Sequence, residues 1–251
     1  MNINVILSPP EIDLLPQVEL GDSTCVVFDV LRATSSMVTA LANGAGAIHP
    51  VRTIEEALAL KERFPDAVLG GERFGDRIDG FDIGNSPLEY RDLAGRRIIT
   101  TTTNGTIALR ACEKAERVLV GALLNLGALV EELRRAAPEK LVIVCAGTFR
   151  ELALEDVAAA GAICANLPDA ALTDSATVAL AAYQTRERDL PRALRESRNG
   201  QALIVAGRES DVEWCAQTSI YDTIGHMQGG IITKIGPKIG PLQSAPVEVA
   251  P

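Results

Sequence analysis

Histidine is nearly absent from this chain: His49 and His226 are the two in 251 residues. A mechanism resting on imidazole bases or a histidine metal cage therefore has little to draw on. Basic residues are outnumbered, 24 Lys and Arg against 33 Asp and Glu, for a net charge of −9. That balance argues against nucleic-acid or anionic-membrane binding, since both need a basic surface. It leaves room for a small anionic substrate, because a local arginine cluster or bound cation can reverse the field within a site. The five cysteines (Cys25, Cys112, Cys145, Cys164 and Cys215) form no C-x-x-C pair and are odd in number. This speaks against a disulfide framework and a structural zinc site. No apolar run approaches the roughly 20 residues of a membrane span. Met1-Asn2-Ile3-Asn4 also lacks the basic and apolar regions of a signal peptide. The expectation is a reduced, cytoplasmic protein, with homo-oligomerisation left open.

What the chain does have is aliphatic residues. It is 47% hydrophobic with only 4% aromatic, enough for one large α/β core. Strands are predicted at residues 3–7, 25–30, 46–51, 67–69, 97–100, 118–121 and 141–145, with helices after most of them. Asn43-Gly44 reads as a helix C-cap. Thr53-x-x-Glu56 reads as a capping box opening a helix to about Phe64. Further helices are predicted over 126–137, 154–166, 173–183 and 190–197, while 201–206 is ambiguous. The alternation points to an α/β fold, a three-layer α/β/α arrangement around a sheet that is largely parallel, a mixed sheet being the alternative. Residues 1–235 are read as a single α/β domain and 236–251 as an irregular Pro-rich tail.

Three strand-to-helix junctions carry the polar groups. In Asp29-Val30-Leu31-Arg32-Ala33-Thr34-Ser35-Ser36 a carboxylate, a guanidinium and hydroxyls meet at a helix start, with Thr34, Ser35 or Ser36 as N-cap. The alternative there is structural, with Asp29 capping the helix and Arg32 paired to it. Thr103-Asn104-Gly105-Thr106, after a threonine-rich strand, offers hydroxyls and backbone N–H groups to an anion. It lacks both the Walker and dinucleotide glycine spacings, and its alternative is a plain N-cap. The third junction runs from Cys145 to Glu155 and Asp156, whose acidic pair would suit a helix dipole in any case. Residues 70–87 form a glycine- and carboxylate-rich stretch without hydrophobic period, read as an ordered functional loop anchored by Phe74, Ile78, Phe81 and Ile83. Each junction is expected at the same edge of a parallel sheet, where α/β proteins bind ligands.

Carboxylates for a hard cation beside Arg and Thr groups for an anion suit metal-assisted phosphate-ester hydrolysis, with Mg²⁺ joining one or two carboxylates to a substrate phosphate. A haloacid-dehalogenase route wants Asp-x-Asp, but Leu31 stands at the second position. A cysteine-phosphatase route wants Cys-x5-Arg, but Cys145 and Arg150 are separated by four residues. Cys145 is then a core residue.

Several segments together resemble the 2-phosphosulfolactate phosphatase family. They are Phe28-Asp29-Val30-Leu31-Arg32-Ala33-Thr34, Gly71-Glu72-Arg73, Gly80-Phe81-Asp82-Ile83-Gly84-Asn85-Ser86-Pro87-Leu88-Glu89-Tyr90, Thr102-Thr103-Asn104-Gly105-Thr106, Cys145-Ala146-Gly147-Thr148 and Leu154-Glu155-Asp156. The resemblance implies a Mg²⁺-dependent α/β phosphatase that splits 2-phospho-3-sulfolactate, or a related 2-hydroxy-acid phosphate ester, into the free acid and phosphate, toward coenzyme M in the named reaction. The chain departs from the pattern at residues 149–153, at Ser219 and at Ile224-Gly225. Asp29, Glu72 and Asp156 are the expected catalytic groups, and Asp29, Glu72, Asp82, Glu155 and Asp156 the expected metal ligands. Arg32, Thr34, Arg73, Asn85, Ser86, Thr103, Asn104, Gly105 and Thr106 are expected to hold the substrate. Whether Asp29 is phosphorylated or water attacks directly is open at this level. The competing class is a non-catalytic small-anion-binding or regulatory protein on the same scaffold.

Overall fold

β-branched and aliphatic runs such as Cys-Val-Val-Phe and Leu-Val-Ile-Val form strands buried on both faces, and that fixes the architecture of the chain. The computed structural model describes residues 1–235; the tail expectation at 236–251 lies outside them. The first half contains β1 (Asn2–Ile6), α1 (Pro9–Ile12), β2 (Ser23–Phe28), α2 (Ala33–Ala42), β3 (Ala47–Pro50), α3 (Ile54–Arg63), β4 (Val68–Arg73), β5 (Asp76–Arg77), β6 (Arg97–Thr101) and α4 (Gly105–Ala111). The second contains β7 (Arg117–Gly121), α5 (Leu126–Ala136), β8 (Lys140–Cys145), α6 (Leu154–Asn166), β9 (Ala171–Leu172), α7 (Asp174–Gln184), α8 (Leu190–Glu196), α9 (Arg198–Val205), α10 (Glu209–Cys215), β10 (Ile224–Gln228) and β11 (Ile231–Ile235).

The strands join in one sheet of order β5-β4-β6-β3-β11-β10-β7-β2-β8-β1-β9, with helices on both faces, a three-layer α/β/α fold. Alternate residues of the central strands feed two cores, as a two-fold pleat requires. Val26, Phe28, Leu141 and Ile143 face α5, α6 and the later helices. Cys25, Val27, Val142 and Val144 face α2 and α4. Nine of the ten residues of α2 are buried.

The sheet is two parallel blocks, β4-β6-β3 and β7-β2-β8-β1-β9. Between them lies the antiparallel β10–β11 hairpin, closed by Gly229-Gly230 with φ of 57° and 75°. Three successive antiparallel pairings, β7–β10, β10–β11 and β11–β3, leave the two blocks running in opposite senses. The expected single parallel edge is therefore corrected: β10 and β11 intervene, and loops that follow β2 and β8 in one block and β4 and β6 in the other nevertheless line one cavity. Residues 201–206 are helical, within α9 and its C-cap. The 70–87 stretch is shorter as a loop than expected, because β4 runs on to Arg73 and β5 pairs back on it. Ile78 and Phe81 are buried anchors, but Phe74 is not: it is 77% exposed. Among the described residues no helix is long and apolar enough to cross a membrane.

Candidate active site

β2 ends at Phe28, so Asp29 stands immediately beyond it, 8% exposed. Its Oδ1 accepts the Ala33 N–H (3.1 Å), and its own N–H donates to Thr34 Oγ1 (2.9 Å). Asp29 thus holds the first N–H of α2 from outside the helix, Arg32 being the residue at its N-cap, so the structural alternative holds in part. The hydroxyls are not caps. Ser35 Oγ donates to the Val30 carbonyl and Ser36 Oγ to that of Asn85. Thr34 is fully buried within the turn and presents nothing to a ligand. Oδ2 of Asp29 has no hydrogen-bond partner among the described residues and abuts the start of α4. A Cβ on Gly105 would lie 2.5 Å from that oxygen and 2.7 Å from Ala33 Cβ, so only glycine permits the approach.

Arg32 does not pair with Asp29. Its Nη1 meets Asp211 Oδ2 at 2.7 Å, with both side chains buried, and its Nη2 donates to the Gly75 carbonyl (3.0 Å). Ser86 Oγ holds the other oxygen of Asp211 (2.5 Å). Arg208 reaches the same Gly75 carbonyl (2.6 Å) and pairs with Asp76 (2.7 Å). The β4–β5 turn is therefore gripped by two guanidiniums.

Glu72 faces the cavity from the end of β4. Its Oε1 accepts Thr103 N–H (2.6 Å), and its Oε2 accepts Gly75 N–H (2.7 Å) and Thr103 Oγ1 (3.0 Å). Asn104 Nδ2 donates to the carbonyls of Ala146 (3.0 Å) and Phe149 (3.2 Å), and its Oδ1 accepts Phe149 N–H (3.2 Å). Thr106 bonds back to Thr102 and is fully buried. The Thr-Asn-Gly-Thr turn is thus largely occupied with joining loops. Asp156 spends both oxygens on backbone, taking Val30 N–H (2.8 Å) and Gly147 N–H (3.0 Å). Glu155, 1% exposed, accepts from Asn199 Nδ2 (2.7 Å).

These groups surround a cavity of about 260 Å³. Of the expected residues, Asp29, Arg32, Glu72, Asn85, Thr103 and Asn104 line it. Ser86 lines a neighbouring cavity of about 230 Å³ that shares Arg32, Asn85 and Arg208. Thr34, Gly105 and Thr106 do not line the first cavity, and two further expected residues point away from it. Asp82 accepts the Leu69 N–H (2.8 Å) from the segment that runs alongside β4, and Arg73 turns to Thr101 Oγ1 (2.8 Å). Arg73 follows from strand alternation, which sends the neighbour of Glu72 to the other face. Glu155 and Asp156 stand behind the cavity wall. Residues that sequence reasoning left out of the site are Gly147, Thr148, Phe149, Asn199, Arg208 and Asp211. The first two fall in a quoted motif and Phe149 directly follows it; the last three are on elements of the C-terminal third without a legible motif. The departures separate as well. Ser219 accepts Gly127 N–H (2.9 Å) near the start of α5 and does not line the cavity, and Ile224-Gly225 opens β10, whereas Phe149 is on the cavity.

Electrostatics concentrate on the carboxylates. Burial, then the charges of Glu72 and Glu155, pushes Asp29 up to about 7. Burial also raises Glu155, and burial together with Glu155 and Asp29 holds Asp156 well above the usual carboxylate range. Neither histidine lines the cavity. Cys145 is a buried core thiol, held protonated by burial.

The 2-phosphosulpholactate phosphatase family model matches residues 11–230. A protein of Deinococcus radiodurans is 44% identical over 214 residues, 83% of this chain and 88% of that one. One of Pseudothermotoga lettingae is 42% identical over 211 residues, covering 84% and 92%. One of Carboxydothermus hydrogenoformans is 38% identical over 233 residues, covering 92% and 95%. All three are named probable 2-phosphosulfolactate phosphatase. Spanned almost from end to end by that model, the chain belongs to the 2-phosphosulfolactate phosphatase family and is by family a phosphoric monoester hydrolase.

Proposed function

We propose that the protein hydrolyses the phosphate monoester of a 2-hydroxy acid, of the 2-phospho-3-sulfolactate kind its relatives are named for, with Mg²⁺ as its metal. The observation that carries this reading is Asp29: a buried carboxyl near 7, facing a cavity that two arginines also line. Arg32 and Arg208 offer the donors for phosphoryl oxygens, and Asn85 and Asn199 add neutral ones.

The residues fit Mg²⁺. The available donors are hard oxygens, and the burial that raises Asp29, Glu155 and Asp156, with carboxylate repulsion added at Asp29 and Asp156, is what a cation offsets. Among the described residues no three such side chains form a ready cage. A metal held here would take the rest of its shell from substrate phosphate and water. Asp29 and Glu72, both on the cavity, would hold it. When bound, Mg²⁺ supplies charge neutralisation at the phosphoryl oxygens. The chain itself positions the ester. Arg32, locked by Asp211 and the Gly75 carbonyl, orients the phosphoryl group, and Asp29 Oδ2, the oxygen left free by the Ala33 bond, either ligates the cation or accepts the proton that the attacking water gives up, one role excluding the other.

The test is Asp29→Asn, expected to lower kcat by about 10²-fold or more. Acid-quench trapping with labelled substrate is expected to find no phosphoenzyme in the native protein. A phosphorylated Asp29 would replace the water route with a covalent one, and full activity in the variant would refute the role of Asp29.

A further inference from the structure

The cavity that holds Asp29 opens beside the second one, of about 230 Å³, and the two meet at Arg32, Gly75, Asn85 and Arg208, which line both. Their charges run opposite ways. The first is lined by Asp29, Glu72 and Asp76 against Arg32 and Arg208, an excess of carboxylate. The second is lined by Arg32, Arg77 and Arg208 against Glu89 and Asp211, an excess of guanidinium. Both carboxylates of the second cavity are engaged within the protein. Asp211 is held by Arg32 (2.7 Å) and by Ser86 Oγ (2.5 Å), and Glu89 accepts Gly84 N–H (2.9 Å).

Arg77 is the cation left over. β5 pairs back on β4 with Arg77 opposite Glu72, so adjacent strands line the two cavities. Its bond within the fold is a long one, from Nη1 to the Asp82 carbonyl (3.5 Å), and among the described residues it meets no carboxylate. Arg32 and Arg208 grip the Gly75 carbonyl where the cavities meet and keep further N–H donors for a ligand. Ser210 adds a hydroxyl to the same lining. Guanidinium and hydroxyl donors on a cavity whose carboxylates are already occupied make a seat for an anion from outside.

We propose that this second cavity seats the sulfonate of 2-phospho-3-sulfolactate, with Arg77 as the residue that distinguishes this ester from one lacking that group. The inference rests on the phosphatase reading above and adds to it the place where the second strong acid is bound. The phosphoryl group occupies the carboxylate-lined cavity, where a cation is needed, and the ester crosses into the second at Arg32 and Asn85. A sulfonate is ionised at any assay pH, so it leaves water favourably only for a site of opposite charge. The second cavity supplies that charge from the chain itself.

The lactate ester carries the same phosphate and carboxylate without the sulfonate, and so isolates the group in question. The test measures kcat/KM for phosphate release from the phosphate esters of 3-sulfolactate and lactate, in Mg²⁺, by the native protein, Arg77→Gln and Arg77→Lys. The native protein is expected to favour the sulfolactate ester by about tenfold or more. Arg77→Gln is expected to cut that ratio by about tenfold, chiefly through KM for the sulfolactate ester, and Arg77→Lys to restore part of it through its charge. Equal losses on both esters in Arg77→Gln, or an unchanged ratio, overturn the inference and leave the phosphatase reading standing. A native protein that treats the two esters alike, or favours lactate, does the same. Release from neither ester by the native protein removes both. Arg77 is exposed and lightly bonded, so its variants probe recognition rather than folding.

Discussion

Asp29 concentrates the chemistry of this chain in one side chain. It holds the first N–H of α2 through Oδ1, leaves Oδ2 toward the cavity, and carries a carboxyl held at about 7 by burial and neighbouring carboxylates. An unfolded aspartate titrates near 4, so between about pH 4 and 7 the folded metal-free protein keeps a proton that the unfolded chain has released. The stability contributed by this group therefore falls as pH rises through that window. Metal-free Asp29→Asn, which keeps an acceptor for Ala33 N–H, is expected to exceed metal-free native protein in stability near pH 8. The gap should close toward pH 4. Thermal unfolding of both proteins in EDTA across that range checks the sign, and a gap that instead widens in acid contradicts it. Asp211 makes a second residue-scale case. Asp211→Ala strands the Arg32 guanidinium among buried groups and is expected to cost about 3–5 kcal/mol in urea unfolding. Asp211→Asn, which keeps Ser86 bonded, should cost less and raise KM more than it lowers kcat.

Among the elements, the N-terminus of α4 shows how closely packing and chemistry are joined. Gly105→Ala would place a methyl group against Asp29 Oδ2 and Ala33. The expected cost is about 1–3 kcal/mol of stability. Displacing Asp29 by this route should also lower kcat by about 10²-fold. Circular dichroism melts and phosphate-release assays on the one variant check both, and an active, unshifted protein would mean that the contact is looser than described. The elements themselves were largely legible in the sequence. Thr53 caps α3 through the N–H of Glu56, while Glu56 reaches back to Arg52 N–H, a variant of the capping box its spacing announced. Local signals of this kind lie within one turn and survive any tertiary context. The β10–β11 hairpin had such a signal too, in Gly229-Gly230 ahead of Ile231-Ile232. It went unread because β10 shows a glycine and a histidine rather than an apolar run.

At the scale of the whole molecule the site is assembled from segments far apart in the chain, and there sequence reading is weakest. Arg32 and Asp211 are 179 residues apart, and no periodicity links them. Asn199 and Arg208 belong to short helices and connectors whose polar residues look like any solvated face until the fold turns them inward. The reverse also holds. Asp156 sits in a conspicuous motif, but its oxygens bind backbone N–H groups of two loops, so a residue that reads as a ligand ties β2 to the loop after β8. Charge tells the same story, since the chain is acidic overall and its cavity gathers Asp29, Glu72 and Asp76 around Arg32 and Arg208. Such a cavity holds an anionic ester best with a cation present. Phosphate release from the phosphate esters of 3-sulfolactate and lactate, measured with Mg²⁺ and again with excess EDTA, tests that directly. The account predicts release that depends on Mg²⁺ and stops with EDTA; release indifferent to EDTA, or none from either ester with Mg²⁺ present, would contradict it.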